Sequence, residues 1–265
     1  MVNDMPDTAL HHALAEDLLA AYVSGEPIPP LIETHPGLTV ADAYAVQLEQ
    51  VRHWEADGGV VRGHKVGLSS EAARRQIGVD EPDFGHLLDT MFYAEGEPIP
   101  TARFLQPRIE PEIAFVLRKP LRGPGVTAEQ AADAVDHLLP ALELVDSRIR
   151  DWKISIVDTV ADNASSGAVV LGSTPVPLDA IDLTGAPCSL HLNDEVIETG
   201  DSSAVMGSPL NSLVWIANKL GEMGTALQPG HVILSGSITR VSPVAPGDRV
   251  TCTIDGLGAV SAVFS

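Results

Sequence analysis

Two acids two residues apart open an apolar run, Arg108-Ile109-Glu110-Pro111-Glu112-Ile113-Ala114-Phe115-Val116-Leu117, and a third breaks another, Ala141-Leu142-Glu143-Leu144-Val145. Read as strands, these segments put Glu110 and Glu112 on one face, with Ile113, Phe115 and Leu117 on the other. Pro111 cannot donate to a sheet ladder, which places the acid pair at a strand's start or on an edge. For Glu110 and Glu112 alone a solvated surface is a sufficient reading. Glu143 sits among aliphatic side chains, where an unpaired carboxylate is costly unless a cation or hydrogen bonds compensate it. Surface acids and a hard, oxygen-rich site for Mg²⁺ or Mn²⁺ are both open on this ground.

The chain of 265 residues carries a formal net charge of −20. That excess argues against nucleic acid and against anionic membranes as partners, since both need clustered Lys and Arg. An anionic substrate is also repelled at long range, so a site for one must carry its own positive charge, from a metal or from buried basic residues. Cys188 and Cys252 share no metal-ligand spacing and read as inert core residues, which fits a reducing cytoplasm. Met1 to Thr8 shows no leader pattern, and no apolar run is long enough to span a bilayer.

Residues 1–59 read as a helical subdomain, with helices over Thr8 to Ser24 and Thr39 to Trp54, and residues 60–265 as a mixed-β catalytic domain. Val60 to Leu68 reads as a short strand containing Lys65, either a lysine snorkelling to the surface or a desolvated one whose pKa burial lowers. His64, on the opposite face, is structural or a site wall. A short helix over Ser69 to Gln76 starts from a Ser cap. Gly78 to Gly85 is rich in turns, with Asp83 fixed between Pro82 and Phe84, and Leu87 to Tyr93 and Pro98 to Pro100 read as loop and edge structure. Thr127 to Leu139 is an amphipathic helix stopped by Pro140. Asp146 to Lys153 is a charged segment, commonly a surface network, that emerges beside the acids.

Thr159 to Ser166 reads as a polar loop in which Asn163 and Ser166 offer neutral hydrogen bonds to a ligand. Beyond Pro187 the pattern is short strands, Ser189 to Leu192, Val196 to Thr199, Val232 to Leu234 and Val250 to Ile254, with an Asn193-Asp194 hairpin turn and a helix over Pro209 to Met223. Gly230 to Arg240 opens into a small-residue loop suited to a substrate wall. A phosphate-cradling glycine loop, a dinucleotide fingerprint and a nucleophile elbow are all missing.

Taken together, Gly63 to Ser70, Gly78 to Gly85, Arg108 to Glu112, Leu142 to Asp146, Asp158 to Ser166 and Gly236 to Thr239 resemble the 2-hydroxypenta-2,4-dienoate hydratases, in the hydratase and decarboxylase branch of the fumarylacetoacetase-like superfamily. The resemblance implies an α+β fold, a mixed β-sandwich roll with a helical N-terminal part. It implies Mg²⁺ or Mn²⁺ on Glu110, Glu112 and Glu143, proton transfer by Lys65 and Asp83, and substrate contacts at Val66, Leu68, Asn163, Ser166, Ser237 and Thr239. The implied activity is addition of water to a 2-hydroxy-2,4-dienoate, through a 2-oxo-3-enoate, to give a 4-hydroxy-2-oxo acid in the catabolism of aromatic or steroid rings. A homo-oligomer in the cytoplasm, in contact with an aldolase that acts next, completes the expectation. The rivals are a decarboxylase of a 2-oxo-enedioate, an acylpyruvate hydrolase, disfavoured because no His-Glu pair lies near Lys65, and a non-catalytic relative.

Overall fold

The structure is a computed structural model that describes residues 8–265. Most of the Met1 to Thr8 stretch therefore lies outside the described residues. The elements in order are α1 (Thr8–Ser24), α2 (Leu31–Thr34), α3 (Val40–Ala56), β1 (Val61–Gly67), α4 (Glu71–Ile77), β2 (Asp83–Leu88), β3 (Phe92–Tyr93), β4 (Pro98–Ile99), β5 (Arg108–Leu117), α5 (Ala128–Ala134) and β6 (Val135–Val145). They continue with α6 (Ile156–Ala161), β7 (Ser166–Leu171), β8 (Pro187–Leu192), β9 (Glu195–Asp201), α7 (Pro209–Glu222), β10 (Val232–Leu234), β11 (Ser242–Pro243), β12 (Arg249–Ile254) and β13 (Gly258–Phe264). This is the α+β architecture expected.

Eight strands make a curled mixed sheet in the order β2-β1-β10-β5-β6-β7-β3, with β11 also paired to β5, and five make a second sheet, β4-β13-β12-β8-β9. One apolar cluster fills the space between the sheets and under the helices, joining Leu18 of α1, Phe115 of β5, Ile216 of α7 and Val260 of β13. A separate cluster, with Ala114, Ala141, Val169 and Leu234, occupies the opposite face of the large sheet. By strand alternation this second face is also the one that carries Glu110, Glu112 and Glu143.

Three local readings are corrected, and one choice is decided. The acid pair lies near the start of β5, one of its two expected placements, and not on an edge, because β5 lies between β6 on one side and β10 and β11 on the other. Pro111 is tolerated because its carbonyl, and so its missing N–H, faces the gap between β10 and β11, where the N–H of Ile238 donates to that carbonyl at 3.0 Å. The helix from Thr127 ends at Ala134, and the chain runs straight into β6, which pairs with β5 from Val135 to Val145. Pro140 is therefore a strand residue and stops no helix. Asp83 to Leu88 is a fully buried strand rather than the end of a turn and the start of a loop.

The segment Asp146 to Arg148 is core, not surface. Arg148 is fully buried, pairs with Asp162, and lies 4.3 Å over the ring of Tyr22. Of the predicted helix starts, Thr39 and Thr127 both form reciprocal capping boxes, and Ser70 caps α4 by accepting from the N–H of Ala73. Asn193 and Asp194 both take positive φ, as the turn between β8 and β9 requires.

Candidate active site

β5 and β6 run antiparallel in a register that sets Glu110 directly opposite Glu143 and Glu112 opposite Ala141. Facing cross-strand neighbours approach closely, so the three acids converge. One carboxylate oxygen from each lies within 4.8 Å of the others. Glu112 and Glu143 are 0% exposed and Glu110 6%.

The hydrogen bonding of these acids is incomplete. Glu112 Oε2 accepts from the backbone N–H of Gly236 at 2.6 Å, while Glu112 Oε1 and both Glu143 oxygens have no hydrogen-bond partner among the described residues. Burial raises the Glu112 carboxyl well above its ordinary value, reinforced by the neighbouring acids Glu143 and Glu110. Burial also pushes Glu143 up to about 7, with Lys65 pulling the other way and Glu110 adding to the rise. Orphaned buried carboxylate oxygens at ligand spacing are what a hard divalent cation satisfies. The donor set therefore fits the metal that the sequence pattern suggested, and Glu110, Glu112 and Glu143 would hold it.

Lys65 reaches the same space from β1, which pairs with β10 so that Lys65, Leu234 and Ala114 lie in one row across the sheet. Its ammonium donates to the carbonyl of Ala164 at 3.0 Å and stands 3.3 Å from Glu143 Oε1. Of the two readings from the sequence, the desolvated lysine holds and the surface one does not, but the lowered pKa is corrected. The side chain is buried, and although burial acts to lower its pKa, the surrounding acids Glu143, Glu110, Asp83 and Glu112 outweigh it and hold the ammonium charged.

Asp83, the first residue of β2, lies opposite Gly67 of β1. Thr159 of α6 donates to its Oδ2 at 3.3 Å, and Oδ1 is buried without a hydrogen-bond partner among the described residues. Burial raises the Asp83 carboxyl, opposed by Lys65 and by the Thr159 hydroxyl. A Cβ on Gly67 would meet Asp83 Oδ1 at 2.1 Å, so the absence of a side chain there gives the carboxylate its room.

A cavity of about 870 Å³ opens over these groups, and Lys65, Asp83 and Glu110 line it. Val66, Leu68, Ser237 and Thr239 are on its wall. Asn163 and Ser166 are not. The Asn163 amide donates to the carbonyl of His86 at 2.9 Å and accepts from its N–H at 2.7 Å, and the Ser166 hydroxyl donates to the carbonyl of Asn163. Both side chains are fully buried behind the wall: Asn163 ties β2 to the turn before β7, and Ser166 closes that turn onto the start of β7. His64 points to the other side of the sheet, 4.8 Å from the ring of His86, and takes no part.

Among the wall residues that the sequence reading did not assign to the site are Thr159, Ser165, Arg108 and Trp152. Thr159 and Ser165 fall in a stretch read as loop, but Thr159 is on α6, and Asn163, Ala164 and Ser165 all take positive φ in the turn that follows. Three successive non-glycine residues in that region are strained. Their conformation brings the Ala164 carbonyl to Lys65. The clustering of Thr, Asn and Ser between two apolar stretches was the available signal.

Known proteins give the same picture. Residues 53–265 match the family described as fumarylacetoacetate (FAA) hydrolase C-terminal. Over 250 residues the chain is 44% identical to the 2-keto-4-pentenoate hydratase of Paraburkholderia xenovorans (strain LB400), covering 94% of this chain and 93% of that protein. It is 41% identical to the 2-hydroxyhexa-2,4-dienoate hydratase of Comamonas testosteroni, covering 98% of this chain and all of the relative. Among solved structures, 4-oxalocrotonate decarboxylase from Pseudomonas putida G7, complexed with magnesium and adipate, superposes with a TM-score of 0.96 at 38% identity, covering 99% of this chain and 100% of that one.

Proposed function

Because this chain belongs to the fumarylacetoacetate hydrolase C-terminal family, we propose that it is a divalent-metal-dependent hydratase of 2-hydroxy-2,4-dienoates, yielding a 4-hydroxy-2-oxo acid. The observation that carries the reading is the convergence of three buried carboxylates, two of them with unpartnered oxygens among the described residues, on the floor of a cavity that Lys65, Asp83 and Glu110 line. Glu110, Glu112 and Glu143 would hold a Mg²⁺ or Mn²⁺ ion, which would supply Lewis acidity toward the oxygens of a 2-oxo acid.

The protein's own groups do the rest. Lys65, charged and fixed by Ala164 and Glu143, offsets part of the triad's negative charge and presents an N–H toward the substrate oxygens. Asp83, with one oxygen held by Thr159 and the other unpartnered among the described residues, is the base that takes the enol proton and returns it at the far carbon, C5, and then orients the water that adds at C4. Its pKa, raised by burial, suits a base that must keep a proton long enough to return it to carbon. Val66, Leu68, Ser237 and Thr239 shape the wall around the chain of the substrate. In this reading residues 60–265 carry the chemistry and residues 1–59 buttress it, through Gln47 of α3, whose amide donates to the carbonyls of Phe84 and Val160.

The product is a β-hydroxy ketone, ready for retro-aldol cleavage, so an aldolase is the partner implied. A self-associated, cytoplasmic enzyme belongs to the same reading, and no helix among the described residues is long and apolar enough to cross a membrane. The test is a spectrophotometric panel of 2-hydroxydienoates with and without chelator. Loss of dienoate absorbance that chelator stops, with water added at C4, is expected, and an inert enzyme rejects the proposal. The close superposition on the decarboxylase favours a second reading, decarboxylation of a 2-oxo-enedioate, which release of CO₂ from a six-carbon dioate separates from hydration.

A further inference from the structure

Three cationic side chains line the cavity, and two of them are already engaged. Lys65 is surrounded by acids, and Arg240 is tied to Glu198 by contacts of 2.9 and 3.3 Å. Arg108 is different. Its guanidinium lies 4.4 Å over the ring of Trp152, and among the described residues no carboxylate pairs with it. A cavity-facing guanidinium without an anionic partner is unexpected in a chain whose net charge is −20.

The platform under Arg108 is built at a cost. Asp151 and Trp152 both take positive φ, 59° and 54°, a region rarely used by bulky residues. The strained turn lets the indole N–H donate to the carbonyl of Gln106 at 3.0 Å, while the Gln106 amide donates to the carbonyls of Ser147 and Ile149. The ring is thus fixed beside the start of β5. Stacked on it, the guanidinium keeps its plane and leaves its N–H edge free, the geometry that receives a carboxylate through two hydrogen bonds. Arg108 is also on the same face of β5 as Glu110, two residues earlier, about 6.6 Å along the strand.

Resting on the assignment of an anionic 2-oxo acid as substrate, we propose that Arg108 is a substrate-binding residue that takes the 1-carboxylate of that acid, with Trp152 as the platform that aims it. The 1-carboxylate is chosen because Arg108 shares its strand face with the acid site, where the 2-oxo acid head must sit. It supplies local positive charge that an acidic protein needs to admit an anion.

The experiment measures binding of 2-oxopentanoate and of its uncharged amide to the magnesium-loaded full chain by calorimetry, alongside hydration kinetics for a five-carbon monoacid and a seven-carbon dioate. Arg108→Leu should weaken the acid about 10- to 100-fold, the scale of a charge-assisted hydrogen bond, and leave the amide within about twofold. KM should rise by a similar factor for both substrates, and kcat should change much less. Arg108→Lys should recover part of the affinity, since charge returns without the planar fork. Trp152→Leu should give an intermediate loss and supplies the test should Arg108→Leu fail to fold. Unchanged acid affinity, equal weakening of acid and amide, or a loss confined to the dioate would each overturn the proposal. Because binding is read without turnover, an enzyme that binds 2-oxopentanoate but hydrates no dienoate removes the hydratase reading and leaves Arg108 where it is.

Discussion

Glu143 shows how a single side chain acquires meaning from its neighbours. Its two oxygens lack hydrogen-bond partners among the described residues, Glu110 opposes it, and Lys65 is its cationic contact. Glu143→Gln and Glu112→Gln should each remove metal-dependent turnover and cut metal affinity in calorimetry by at least about 10-fold while the fold persists, since loss of a ligand's support alone costs that much. Full activity in either variant would remove the triad from the mechanism. Gly67 is a subtler case. Gly67→Ala forces Asp83 to move, so turnover should fall by at least about 100-fold, the scale of a general acid-base group, with metal affinity little changed. At this scale the sequence was informative where chemistry is unusual: an acid inside an aliphatic strand, a lysine between glycines. Arg108 and Trp152 were hidden because a surface arginine and a lone tryptophan look the same whether or not they meet.

Among the elements, α3 and α6 matter more than their lengths suggest. Gln47, buried in α3, donates at 3.0 Å to the carbonyl of Phe84 beside Asp83 and at 2.8 Å to that of Val160 beside Thr159. It thereby couples the two elements that present the base and its hydroxyl. Gln47→Leu should leave both carbonyls unsatisfied, lowering stability by about 1–3 kcal/mol in denaturant titrations and slowing turnover more than it alters metal affinity. Stability unchanged from wild type would mean that neither bond matters. Helices α1, α3 and α7 were legible because a periodic apolar face is a local signal. The start of β6 was not, because Val135 to Pro140 continues the helical period of the preceding residues, and only pairing with β5 decides the matter. Asp146 to Arg148 was opaque for the same reason. Its partners, Asp162 and Tyr22, are remote in the chain, and a charged segment gives no sign that its charges are matched inside.

For the molecule as a whole, the buried acids make metal-free stability depend on pH. Glu143 holds its proton more tightly in the folded state, up to about 7 against an ordinary 4.5. Its contribution to stability is therefore fully present below pH 4.5 and is lost as pH rises toward 7. His86, depressed by burial to about 4, works in the opposite sense over much of that range, adding stability as pH rises through it. Comparison of wild type with Glu143→Gln cancels the histidine. In chelator, the melting temperature of wild type should fall relative to the variant between pH 4.5 and 7, and divalent metal should reverse that fall in wild type alone. A gap that does not change with pH would show that Glu143 titrates normally. The layered arrangement of the two sheets followed from the family resemblance more than from any count of strands, since which strands neighbour one another is set by contacts far apart in sequence.

Along the strands that bear the acids, the same sheet face continues into Ala114, Ala141, Val169 and Leu234, packed together and shielded from solvent. Behind the chemistry there is thus a stopper of hydrocarbon, which offers a charged reactant no hydrogen-bonding route along that face, whereas the cavity over Lys65, Asp83 and Glu110 does.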